Sequence, residues 1–263
     1  MLLKNKVAVI YGAGGAVGGA VARAFAREGA AVFLTGRTSE PVKAVAEDIG
    51  RGGGRVETAV IDALDEAAVD THIGRVLGAA GRVDISFNAL GIPQQGIQGI
   101  PLSHLAAASF MLPLTRYMTS HFMTARAALR PMVEQGAGVI LMHTPSPARL
   151  GTPLVGGMGP AWAAMEGFSR AISAEFGARG VRSVVLRTTG MPETATIDVV
   201  YGLHAKALGM TTEQFHALIE GKTHGRRSTT LSELADFAAF VASDRARIMT
   251  GTVANLTGGL IVD

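Results

Sequence analysis

The stretch KVAVIYGAGGAVGGAVARAFAREGA, residues 6–30, decides the fold. Its front, KVAVIY, is a short apolar run bounded by charge and glycine, as a strand buried on both faces requires. Its rear, AVARAFAREGA, has helical spacing and ends at Gly29. Between them lies a glycine-rich turn. A chain that leaves a strand and enters a helix here points backbone N–H groups and the positive end of the helix at whatever sits above. Gly12, Gly14, Gly15 and Gly18, with Val17 among them, form a candidate cradle for a pyrophosphate, because glycine lets the phosphate approach closely. Glycine spacing alone also serves purely steric turns. The position directly after the first strand is what points to a nucleotide.

The same alternation continues to the end of the chain. AVFLT (31–35), RVETAVI (55–61), VDISFN (83–88), GVILMHT (138–144), VRSVVLRT (181–188) and GTVANL (251–256) read as further strands. Helices are expected over about 40–49, 65–79, 114–134, 156–178 and 231–243. Strands that alternate with helices imply right-handed crossovers, hence a doubly wound parallel sheet of about seven strands in a three-layer α/β/α sandwich. RGGGR (51–55) is too short for a domain linker, and one domain over 1–263 is the economical reading. Segment 190–225 has the weakest link to the sheet and is expected to be either a substrate lid or a solvent-facing piece.

Bulk properties narrow the function. Of 263 residues 48% are hydrophobic, ample for a large core. The formal charge is only +3 and the basic residues are scattered, whereas a nucleic-acid binder carries a basic stripe. No apolar run reaches the ~20 residues that span a bilayer, and the opening residues lack the form of a signal peptide. Cysteine is absent, which excludes thiol chemistry. No metal site, nucleic acid or membrane partner is expected, and the cytoplasm is the default.

The end of the second strand discriminates between dinucleotides. An acidic residue there binds ribose hydroxyls and favours NAD(H), while arginine accommodates a 2′-phosphate. This chain reads TGRTSE (35–40), with no acid at the end of the strand and with Arg37 next, which favours NADP(H); the alternative is that Arg37 is a solvated residue at a helix start. Asp62, followed by Ala63 after the third strand, is placed either to accept from an adenine amino group or to cap the next helix.

Taken together, these pieces resemble the short-chain dehydrogenase/reductase family over essentially the whole chain. YGAGGAVG (11–18) aligns with that family's TGxxxGxG, with Tyr11 for the threonine and Ala16 for the middle glycine. FNALG (87–91) is similar to its NNAG element, with Asn88 kept and Ala89 beside it. GVRSVVLRTTGMPET (180–194) resembles its strand and Pro-Gly segment, with Gly190 kept and Thr194 at the threonine that contacts the nicotinamide amide. SELADFAAFVASDRARIMTGTVANLTGG (232–259) resembles its C-terminal signature. The resemblance implies a Rossmann-type fold, a bound NAD(P)(H), a small-molecule substrate, and a homotetramer or homodimer assembled through the helices at 114–134 and 156–178.

The catalytic positions depart from that pattern. The family uses an asparagine, a serine, and a tyrosine and lysine spaced YxxxK. WAAMEGF (162–168) matches its KAALEGF, which puts Trp162 at the lysine and Met158 at the tyrosine. The serine position falls on Pro145, with Ser146 next door, and the asparagine position on Tyr117. MGPAWAAME (158–166) resembles the enoyl-reductase branch, whose wider spacing puts Val155 at the tyrosine. No lysine lies between Lys43 and Lys206, and the tyrosines are Tyr11, Tyr117 and Tyr201. In the usual mechanism the lysine lowers the phenol's pKa from about 10 so that it exchanges a proton with the substrate oxygen.

Three functions are compatible with this pattern. One is an NADP(H)-dependent oxidoreductase acting on an imine, iminium, conjugated alkene or carbonyl that needs little help with protons. The second is a catalytically silent nucleotide-binding, regulatory or scaffold protein, and the third a non-redox lyase or isomerase. The polar groups nominated for chemistry are Ser146 and Tyr117, with His143 as a candidate that a core hydrogen bond would equally explain.

Overall fold

The computed structural model describes residues 1–262. Seven strands form one parallel sheet in the order β3-β2-β1-β4-β5-β6-β7. They are β1 (Val7–Tyr11), β2 (Ala31–Gly36), β3 (Val56–Val60), β4 (Ile85–Asn88), β5 (Gly138–Pro145), β6 (Val181–Thr188) and β7 (Thr252–Leu256). Every residue of β1 and β4 is buried, as strands covered on both faces must be.

The helices are α1 (Ala16–Arg27), α2 (Ser39–Arg51), α3 (Glu66–Ala80), α4 (Ala107–Gln135), α5 (Met158–Phe176), α6 (Ala195–Leu208), α7 (Thr212–Gly221) and α8 (Leu231–Ala242). On one face α1, α2 and α8 pack over Ala8, Ile10, Leu141 and Leu186. On the other, α3, α4 and α5 pack over Val9, Tyr11, Ile140 and Met142. Alternate residues of each strand thus feed two separate cores.

Most elements begin and end within two residues of the sequence expectation. Helix α1, which starts four residues before the stretch read as helical, is one exception, and helix α4 is the larger one. It starts at Ala107 and runs through Pro113, so the segment before residue 114 is helix. Proline inside a helix removes one backbone N–H, which is why the pattern alone stops there. Segment 190–225 folds as α6 and α7, whose Tyr201 and Phe215 rings meet edge to face at 5.3 Å. Thr211 caps α7 in a reciprocal capping box with Gln214.

Strands β1 and β4 are neighbours although two strands, β2 and β3, lie between them in the sequence, with Tyr11 paired to Asn88. Connections leave β1 and β4 in opposite directions along the sheet, so a crevice opens above their C-terminal ends. Helix α5 is fixed beside that crevice by a buried ion pair. Arg187 on β6 donates to both carboxylate oxygens of Glu166 at 2.9 and 2.7 Å, and the Thr144 hydroxyl adds a third bond at 3.0 Å. No helix is long and apolar enough to cross a membrane among the described residues.

Candidate functional site

The crevice is a cavity of about 1040 Å³ that runs from the β1 turn across β5 to α6 and α7. Ligand pockets commonly measure ~300–1,000 Å³, so there is room for a dinucleotide and a small molecule. Gly12, Gly14, Gly15 and Val17 line one end, together with Arg37, Ala63, Asn88 and Ala89. Among the described residues, Arg37 and Lys222 are its charged side chains and no carboxylate lines it.

The glycine turn is built for close approach. Gly12 has φ +71°, a left-handed conformation that disfavours any side chain, and a Cβ there would sit 2.6 Å from the Ala89 carbonyl oxygen. At Gly15, the N-cap of α1, a Cβ would meet only the Gly12 oxygen, at 3.3 Å; beyond it is open space. No side chain caps this helix, and Gly15, Ala16 and Val17 at its start line the cavity. Arg37 is exposed and has no ion-pair partner among the described residues. An uncapped helix N-terminus, a glycine cradle and a free guanidinium fit a phosphate-bearing dinucleotide.

Other nominated residues take structural roles. Gly18 lies under the turn rather than in it: a Cβ would be 2.4 Å from the Gly12 oxygen, so its glycine lets α1 pack on the turn. Asp62 does not line the cavity. Its carboxylate accepts from the Leu64 N–H at 3.0 Å, and the helix cap falls to Asp65, which accepts from Ala68. Asn88 lines the cavity but its side chain is committed, accepting from Leu90 at 2.9 Å and donating to Thr124 at 3.2 Å. Thr194 and Gly190 both line the cavity, and Thr194 also caps α6 and donates to the Met191 carbonyl.

At the β5 end, Ser146, Tyr117 and Trp162 come together on the wall. Ser146 is nearly buried, and its hydroxyl has no hydrogen-bond partner among the described residues. The Tyr117 and Trp162 rings lie 6.5 Å apart at 45°. Burial pushes the Tyr117 phenol up to about 12, with the Trp162 side chain pulling it partway back. Met158 is fully buried and does not line the cavity, whereas Val155 does.

His143 also lines the cavity, and its ring is fixed from inside. Nε2 lies 2.9 Å from the Thr188 hydroxyl, whose single hydrogen goes to the Thr189 carbonyl at 2.7 Å. Nε2 therefore donates, and the core bond and the cavity position coexist. Burial pushes this histidine down to about 4.

Three wall residues escaped the sequence reading. His121 stands one turn after Tyr117 on α4, with Nδ1 2.9 Å from the Tyr117 carbonyl and Nε2 unpartnered; burial pushes it down to about 4. Gln94 and Gln98, four apart in the loop after β4, are buried on the opposite wall. The spacing of four between Tyr117 and His121 on α4 is the signal that puts that pair on one helix face; Gln94 and Gln98 lie in a loop, where spacing carries no such information.

Comparison with known proteins accords with this geometry. Residues 12–261 match the family model described as enoyl-(acyl carrier protein) reductase. The 3-oxoacyl-(acyl-carrier-protein) reductase FabG of Chlamydia muridarum is 27% identical over 260 residues, covering 98% of this chain and 98% of that protein. Among solved structures, levodione reductase superposes with a TM-score of 0.87 at 26% identity, covering 98% of each chain. NAD+-bound xylitol dehydrogenase does so with a TM-score of 0.90 at 24% identity, again over 98% of each chain.

Proposed function

Since the chain belongs to the short-chain dehydrogenase/reductase family, we propose that this oxidoreductase is NADP(H)-dependent and handles protons without a tyrosine–lysine pair. Arg37 carries the cofactor preference: it is a guanidinium at the adenine end with no acidic neighbour on the cavity wall among the described residues. Gly12, Gly14, Gly15 and the N-terminus of α1 would hold the pyrophosphate, Ala63 and Ala89 the adenine side, and Gly190 the nicotinamide side. When bound, the cofactor supplies or accepts hydride.

The chain's own residues do the rest. Val155, Trp162 and Leu90 keep water from a small apolar substrate. Ser146 and Tyr117 offer hydroxyl hydrogens to a substrate oxygen or nitrogen. With Met158 and Trp162 at the positions where the resemblance expects tyrosine and lysine, the reaction is one that needs little proton transfer: reduction of an imine, iminium, conjugated alkene or activated carbonyl. The contact of exposed Phe122 with Phe168 across α4 and α5 suits burial between subunits of a homotetramer or homodimer in the cytoplasm.

A second reading, a nucleotide-binding protein without turnover, is favoured by one observation. A phenol raised to about 12 is a weak proton carrier near neutrality. One experiment separates the two. Trp162 is the only tryptophan and lines the cavity, so its fluorescence is quenched on titration with NADPH. Turnover is then read as loss of NADPH absorbance with a panel of imines, enones and ketones. Binding with turnover supports the oxidoreductase; binding with no turnover across the panel supports the silent binder; no binding overturns both.

A further inference from the structure

The substrate half of the cavity holds a hydrogen-bond string whose direction is fixed from one end. The Gln94 amide N–H donates to the Ile92 carbonyl at 2.7 Å. A backbone carbonyl only accepts, so Gln94 must present its Oε1 the other way. That oxygen accepts from the Gln98 amide at 2.6 Å. Gln98 in turn must present its own Oε1 onward, where it meets His204 Nε2 at 3.0 Å. An amide oxygen cannot donate, so Nε2 of His204 carries the hydrogen. Burial lowers the pKa of His204, which keeps the ring neutral near pH 7. Nδ1 is therefore a bare lone pair. It has no hydrogen-bond partner among the described residues, and His204 lines the cavity.

All three members of the string are buried, Gln98 and His204 to 4% exposure and Gln94 to 7%. Around them the wall is apolar: Ile92, Val200, Phe215 and Ile219, with the Phe215 ring 5.3 Å from that of His204. The string spans from the loop after β4 to α6, so it also fixes where the imidazole stands.

We propose that His204 Nδ1 is a specificity-determining acceptor, and that the substrate is a small apolar molecule bearing one hydroxyl or N–H that donates to it. This rests on the oxidoreductase reading and adds the chemical class that the substrate half selects. A ligand that offers only an acceptor at this point faces the Nδ1 lone pair with its own and leaves the imidazole unpaired, which is how a buried polar wall rejects near-isosteres.

The test uses the full-length protein saturated with NADPH, with matched probes: cyclohexanol and cyclohexyl methyl ether, titrated by calorimetry. The alcohol should bind about tenfold tighter than the ether, the worth of one hydrogen bond to a buried acceptor. In His204→Phe, which keeps the ring's volume, that ratio should fall to about one. In Gln98→Glu the carboxylate draws a second proton onto the ring, Nδ1 becomes a donor, and the preference for alcohol should vanish. Nitrogen-15 spectra of histidine-labelled protein at pH 7 give an independent reading: His204 should show a protonated Nε2 and a bare Nδ1. A ratio unchanged in His204→Phe, a protonated Nδ1 in wild type, or failure of both probes to bind the NADPH complex overturns the proposal. Failure to bind NADPH overturns the oxidoreductase reading instead.

Discussion

Arg187 grips both carboxylate oxygens of Glu166, joining β6 to α5 through a pair with each side chain under a tenth exposed. Removing one partner of such a pair leaves the other charge buried and alone, which costs about 3–5 kcal/mol. Glu166→Ala should therefore lower the urea-unfolding free energy by about that amount. The double variant Glu166→Leu with Arg187→Met should lose much less, since no charge is stranded. Equal losses in the two would contradict the role assigned to the pair.

Tyr11 tells the opposite story. Its ring is fully buried against His72, and its hydroxyl finds no partner among the described residues; burial raises its pKa, with Asp70 adding to the effect. An unsatisfied buried hydroxyl is destabilising, so Tyr11→Phe should stabilise the protein by about 1 kcal/mol. Thermal melts of the two proteins decide it, and a lower melting temperature in the variant would show that the hydroxyl is bonded in solution.

Burial holds His72, His121 and His143 at about 4, below the ordinary 6.5. The unfolded chain takes up protons as pH falls through 6.5, while the folded protein does not until about 4. Stability from these groups is thus complete above pH 6.5 and lost as pH falls toward 4. Each tenfold difference in proton affinity between the folded and unfolded chain is worth about 1.4 kcal/mol. The urea midpoint should drop between pH 7 and pH 5, and the drop should shrink in His72→Leu. A midpoint that stays level over that range contradicts the assignment.

Arg37→Ala should weaken NADPH binding by roughly 10- to 100-fold through loss of charge-assisted bonds, while NADH binding changes little. Trp162 quenching measures both. An equal effect on the two cofactors would mean that Arg37 does not face a 2′-phosphate.

Gly15 and Gly18 should separate binding from folding. A Cβ at Gly15 enters the cavity with only the Gly12 oxygen near it, whereas one at Gly18 strikes that same oxygen at 2.4 Å. Gly15→Ala should fold normally and lose NADPH affinity, and Gly18→Ala should lose melting temperature first. Reversal of the two phenotypes would misplace the phosphate turn.

The fold was readable because buried parallel strands are continuous apolar runs that contrast with helical spacing, as in residues 6–30. The boundary of α4 was not, because Pro113 imitates a stop signal that tertiary packing overrides. Position in the chain was enough to put Gly12, Gly15 and Arg37 on the wall of one cavity. It did not separate the cradle from the packing beneath it, where Gly18 belongs, nor free carboxylates from committed ones such as Asp62. His204 lies in segment 190–225, but its link to Gln94 and Gln98 was beyond reach for another reason. Their meaning lies in a hydrogen-bond direction that crosses 106 residues from Gln98 to His204.

Met158, Trp162 and Glu166 stand at intervals of four along a single stripe of α5, and only the last of them clamps the helix to the sheet. Anchorage and chemistry on this helix are therefore separate inheritances. A lineage that keeps Glu166 and Arg187 keeps the anchor while position 162, on the cavity wall, is rewritten, and an engineer has the same freedom to try new reactive groups there; the fully buried Met158 belongs to the packing.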